Sequence, residues 1–74
     1  MEAPIFTDHD KAIARRANLF ANDPAECMAA QEFAHAAMSG GNESGGKTYA
    51  RALSVCFHKL GVHGQADHYA WLAS

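Results

Sequence analysis

Gly41-Asn42-Glu43-Ser44-Gly45-Gly46-Lys47-Thr48 fills every fixed position of the phosphate-loop pattern G-x-x-x-x-G-K-[ST]. The reading of this stretch decides the fold. As a phosphate cradle it requires a buried parallel strand before it and a helix after it, so that backbone N–H groups converge at a helix N-terminus. The downstream half fits, because Thr48 to Leu60 places Tyr49, Leu53, Cys56, Phe57 and Leu60 at helical spacing. The upstream half does not. Ala25 to Met38 is rich in Ala and holds no Val or Ile, which marks a second helix where a strand is needed.

Over these eight residues the chain resembles the P-loop NTPases. That resemblance would imply a nucleotide site, but 74 residues leave no room for several parallel strands with their crossovers. Nor does any apolar run end in an Asp that could serve a magnesium ion. The stretch therefore reads as a flexible Gly-rich loop over residues 40–46 between two helices. The expected fold class is all-α: a small bundle of three helices plus a short C-terminal helix in one domain, residues 1–74, with residues 1–6 as an N-terminal arm. Gly46, Lys47, Thr48 and Arg51 stand as an alternative anion or nucleotide site. Lys47 and Arg51 carry the wrong sign for a helix N-terminus unless an anion sits there.

Besides the helix that opens at Thr48, two helix starts are written in the sequence. Thr7-Asp8-His9-Asp10 offers a threonine cap with an acid three residues later, opening a helix to about Ala21 with Ile13, Ala17 and Phe20 on one side. Asp23-Pro24-Ala25-Glu26 supplies a capping Asp, Pro at the first helical position and Glu at the third. So short a link predicts that helices one and two form a hairpin. Helix two should turn Cys27, Ala30, Phe33, Ala34 and Ala37 inward and Gln31, Glu32 and His35 outward, stopping at Ser39-Gly40-Gly41. Helix three should stop at Lys59-Leu60-Gly61-Val62. A last helix over Gln65 to Ala73 carries Ala66, Tyr69 and Leu72 on one side and His68 and Trp71 on another. Trp71 then has two possible fates: folded into the core, or exposed as an anchor for a partner.

A chain this short buries only about 60 to 65% of the surface its unfolded form exposes. Its hydrophobic content of 49% is largely Ala, which raises helix propensity and adds little burial area. Extra surface buried against a protein partner, or in a homo-oligomer, would relieve that shortage. The formal charge of −2, from six Lys and Arg against eight Asp and Glu, lacks the basic excess of a nucleic-acid binder. No segment has the 18 or more apolar residues of a membrane span, and Met1-Glu2-Ala3-Pro4 lacks the order of a signal peptide. The chain is expected in the cytoplasm, with Cys27 and Cys56 as reduced core residues.

Cys27, His35, Cys56, His58, His63 and His68 supply metal-binding atom types, but no C-x-x-C or H-x-x-x-H spacing joins them, so no metal or other cofactor is expected. Cys–His catalysis lacks an orienting third group, so no catalytic residue is assigned. Lys47, Arg51, Ser54 and His58 line one face of helix three, and three helices with a basic third resemble helix-turn-helix proteins in outline. The Gly-rich connection is too long for that motif. Nucleic-acid binding through this face remains the rival reading. The leading expectation is a small non-enzymatic protein-binding module, a regulator, inhibitor or assembly factor. Short chains of this type include phage and mobile-element products that redirect a host complex. Its contact surface is expected to combine Trp71 and Tyr69 with the rim charges Arg15, Arg16 and Glu32.

Overall fold

The computed structural model describes residues 7–74; the expected N-terminal arm lies outside them. The described residues form four helices and no strand: α1 (Asp8–Asn22), α2 (Pro24–Ser39), α3 (Glu43–Lys59) and α4 (His63–Ala73). None of these helices is long and apolar enough to cross a membrane.

Each junction is made by one residue that serves two helices. Thr7 caps α1 in a reciprocal capping box, accepting from the Asp10 amide at 3.1 Å while the Asp10 carboxylate accepts from the Thr7 amide at 3.0 Å. Those bonds hold the Asp10 carboxyl below its ordinary range. Asp23 closes α1, its N–H reaching the Leu19 carbonyl, and opens α2, its Oδ1 accepting from the Ala25 and Glu26 amides. Pro24 fills the first helical position, where a missing N–H costs nothing.

The second junction corrects the sequence reading. Gly41, at φ 90°, takes the left-handed turn that ends α2, and the Asn42 N–H returns to the Ala37 carbonyl at 2.9 Å. Asn42 then caps α3 by accepting from the Gly45 amide at 3.2 Å. Helix α3 therefore begins at Glu43, five residues before the expected Thr48. The Gly-rich loop shrinks from residues 40–46 to Gly40, Gly41 and Asn42. The third junction repeats the second: Gly61 at φ 76° ends α3, and Val62 both returns its N–H to Phe57 and precedes α4. That helix starts two residues ahead of the expected Gln65.

Helix α3 is the hub. It packs on each of the other three helices, most extensively on α4 and α2, and α1 and α2 meet less extensively beside it. The packing of α1 on α2 is compatible with the hairpin suggested by their short link, and α2 and α3 form a closely packed antiparallel pair. Three contacts fix its register: Met38 lies on Gly46, Phe33 on Tyr49 at a ring separation of 4.4 Å, and Cys27 against Cys56. The same register sets Ala34 opposite Ala50 and Ala30 opposite Leu53, all four buried. Eight of the thirteen buried apolar side chains are Ala, so this core gains contact by close backbone approach and not by bulk.

Gly46 permits the approach at the turn. A Cβ there would sit 2.8 Å from the Met38 side chain and 3.2 Å from its backbone nitrogen. Ala in place of Gly would normally favour a helix by up to about 1 kcal/mol, but overpacking of this kind costs about 1 to 3 kcal/mol. Gly46→Ala should therefore lower stability by about 1 kcal/mol in denaturant unfolding. Gly64, also helical but with nothing near its missing Cβ, should gain about 0.5 kcal/mol when changed to Ala. If both substitutions stabilise equally, close packing at Gly46 is refuted.

Candidate functional site

The eight residues of the phosphate-loop pattern form no cradle. Six of them lie in α3, where the Gly46 N–H is bonded to the Asn42 carbonyl and the Gly45 N–H to the Asn42 side chain. Gly46 is buried beneath Met38. Lys47 pairs with Glu43 at 3.1 Å one turn away, and Thr48 donates to the Ser44 carbonyl at 3.0 Å. Arg51 lines a groove on another side. The four candidate anion ligands thus diverge. An acid in the first turn of α3 supplies the charge that the helix dipole favours.

The basic face of helix three is likewise divided. Lys47 is neutralised by Glu43, and Ser54 donates to the Ala66 carbonyl at 2.9 Å, joining α3 to α4. Arg51 faces Asp10 across the groove between α1 and α4. His58 lies beside His63, ring centres 5.4 Å apart. No three His, Cys, Asp or Glu side chains among the described residues gather where they could hold a metal ion.

Tyr69 leaves the expected contact surface. It is only 2% exposed, with its ring stacked on Phe57 at 5.8 Å. Its hydroxyl donates to Gln31 Oε1 at 3.2 Å and lies 3.3 Å from His35 Nε2. Gln31 in turn donates from Nε2 to Cys27 Sγ at 3.6 Å. A chain of polar contacts so runs from His35, exposed as expected, through half-buried Gln31 to a buried thiol, and both outward-side residues also position the Tyr69 hydroxyl. The signal was present in the sequence: Gln31 and His35 are four apart, one turn of the same face.

Trp71 takes the exposed fate, at 71%. Its indole lies 6.4 Å from the His68 ring, which is 5.4 Å from His35, so three aromatic rings form a row across α4 and α2. Arg15, Arg16 and Glu32 are exposed on α1 and α2. The structure brings Arg16 to a site that sequence reasoning missed. A groove of about 350 Å³ between α1, α2 and α3 has Phe20, Ala30 and Tyr49 in its lining, with Leu19 and Phe33 also exposed there. Arg16 and Glu26 are its charged members. The Arg16 guanidinium sits 4.7 Å from the centre of the Tyr49 ring. Phe33, expected inward, is 41% exposed because its ring leans on Tyr49 instead of entering the Ala seam. No protein-family model, curated protein or solved structure matches this chain.

Burial pushes the Cys56 thiol up to about 11 from 9.0, helped by adjacent Cys27, and burial likewise raises the Tyr69 phenol. An acid with a raised folded-state pKa favours the fold while it stays protonated. Stability from these groups is complete below the unfolded Cys value near 9 and is lost as pH rises through about 11. Thermal stability under reducing conditions should therefore fall progressively above pH 9, and Cys56→Ala should flatten the earlier part of that decline. A melting temperature unchanged to pH 11 would contradict the buried environment of both groups.

Proposed function

We propose that this protein is a small non-enzymatic binding module that acts on a protein partner as a regulator, inhibitor or assembly factor. The observation that carries the reading is the α1–α2–α3 groove. Leu19 at 49% and Phe33 at 41% exposure keep large apolar surface in water, beside a floor of Phe20, Ala30 and Tyr49. A helix or loop presenting one or two apolar side chains matches this shape, with an acid meeting Arg16 and a base meeting Glu26. Arg15 and Glu32 lie beyond the groove as rim charges. Trp71 forms a second, separate contact at the α4 end, where one exposed indole supplies a typical binding anchor. A second copy of the chain would satisfy the same chemistry, which makes a homo-oligomer the simplest partner. The module is placed in the cytoplasm, in keeping with two free thiols.

The test is retention of a partner from the native host's lysate by tagged protein, with size-exclusion light scattering for self-association. Leu19→Asp and Trp71→Ala change exposed positions, so each should leave helicity intact and shift stability by no more than about 0.5 kcal/mol. Loss of a stoichiometric partner with Leu19→Asp supports the groove; loss with Trp71→Ala alone moves the contact to α4. Retention of nucleic acid alone, with affinity falling steeply in salt, would replace this reading with the rival one.

A further inference from the structure

The α2–α3 seam ends, at the far end from the turn, in two cysteines. Cys27 belongs to the first turns of α2 and Cys56 to the last turns of α3, and both are buried free thiols in one core cluster. The register that sets Met38 on Gly46 and Phe33 on Tyr49 carries through to set Cys27 beside Cys56 in the same core cluster, near enough for Cys27 to help raise the Cys56 thiol. Packed helices lie about 8 to 10 Å apart between axes. With Cα atoms about 2.3 Å from each axis, facing Cα atoms come to roughly 3.4 to 5.4 Å, a span that overlaps the roughly 4.4 to 6.8 Å a disulfide bridges.

We propose that Cys27 and Cys56 are a reversible dithiol–disulfide site that staples α2 to α3. The two thiols are not equivalent. Cys27 retains slight exposure, so an oxidant in solvent reaches its sulfur before that of Cys56. Cys56 is fully buried and held as the thiol. Cys27 therefore reacts first. Its thiolate attacks one sulfur of a small disulfide oxidant such as oxidised glutathione, forming a mixed disulfide and expelling one glutathione thiolate. Cys56, deprotonating as it reacts, then attacks the Cys27 sulfur and expels the second. Two protein thiols are oxidised to one disulfide, one glutathione disulfide is reduced to two thiols, and the two protons pass to the leaving thiolates.

A bond that closes the segment from residue 27 to residue 56 restricts the unfolded chain far more than the folded one. By linkage, the fold must favour the bond by the same factor. The full-length protein is equilibrated with glutathione redox buffers, once folded and once in denaturant, and the species are quenched and resolved by intact mass and peptide mapping. The expected result is loss of two hydrogen atoms, a Cys27–Cys56 cross-linked peptide, and an equilibrium constant for closure at least roughly tenfold larger in the folded chain. The oxidised protein should also melt on the order of 10 °C higher. Single glutathione adducts without closure, intermolecular dimers, or an equal or smaller constant in the folded chain would overturn the proposal. Cys27→Ala and Cys56→Ala must each abolish the cross-link. The wild-type comparison decides the matter even if Cys56→Ala fails to fold.

Discussion

The antiparallel contact between α2 and α3 is the constraint on which the rest of the structure depends. Gly46 under Met38 allows the two backbones to close at the turn, and small residues then continue the seam toward Cys27 and Cys56. With α2 held this near, α3 lies within reach of α1 on one flank and α4 on the other. Lys59 reaches Asn18 of α1, and Ser54 reaches Ala66 of α4. A larger side chain at Gly46 would push α2 outward, and Tyr69 would lose Gln31 and His35, the two groups on α2 that surround its hydroxyl. Burial of a phenol in an Ala-rich core is tolerable only while that hydroxyl remains bonded.

Junction economy makes such a small bundle possible. Asp23, Asn42 and Val62 each end one helix's influence and begin the next, so almost no backbone is left to order without helical hydrogen bonds. Gly41 and Gly61 supply the left-handed turns that allow this, at positions where a Cβ would strain the backbone. The glycines therefore differ in what they do, since Gly41 and Gly61 turn the chain whereas Gly46 admits a neighbour.

That difference explains what the sequence could and could not reveal. The first two helix starts were legible because Thr7, Asp23 and Pro24 act through their own backbone and side chains, and such local chemistry has a local signature. The start of α3 was not. Gly45 and Gly46 have poor helix propensity, and in isolation they read as loop; only packing against Met38 and the cap from Asn42 make them helical. The local hint was Asn42 followed by Glu43 and, four residues on, Lys47, a cap and an ion pair inside what resembled a phosphate loop. Helical spacing in α4 correctly separated Tyr69 from Trp71 without saying which faced the core. The hydrogen-bonding groups of Gln31 and His35, brought from α2 by tertiary packing, made Tyr69 the buried one. The groove around Arg16 was invisible for a similar reason, since its walls come from three helices whose relative placement no periodicity encodes.

A core made largely of Ala has a further consequence. Close backbone approach supplies contact, but each buried Ala removes little apolar area from water compared with Leu or Phe. The large apolar side chains left over, Leu19, Met28, Phe33, Val55, Leu60, Val62 and Trp71, remain substantially exposed. A bundle packed on bulky residues would have drawn several of them inward and widened its helix spacing. Here Gly46 and the alanines exclude them from the seam, so tight internal packing and an apolar exterior arise from the same choice of small residues. The exposed apolar surface is thus a geometric result of how α2 and α3 meet, and substitutions in the seam should move the walls of the groove.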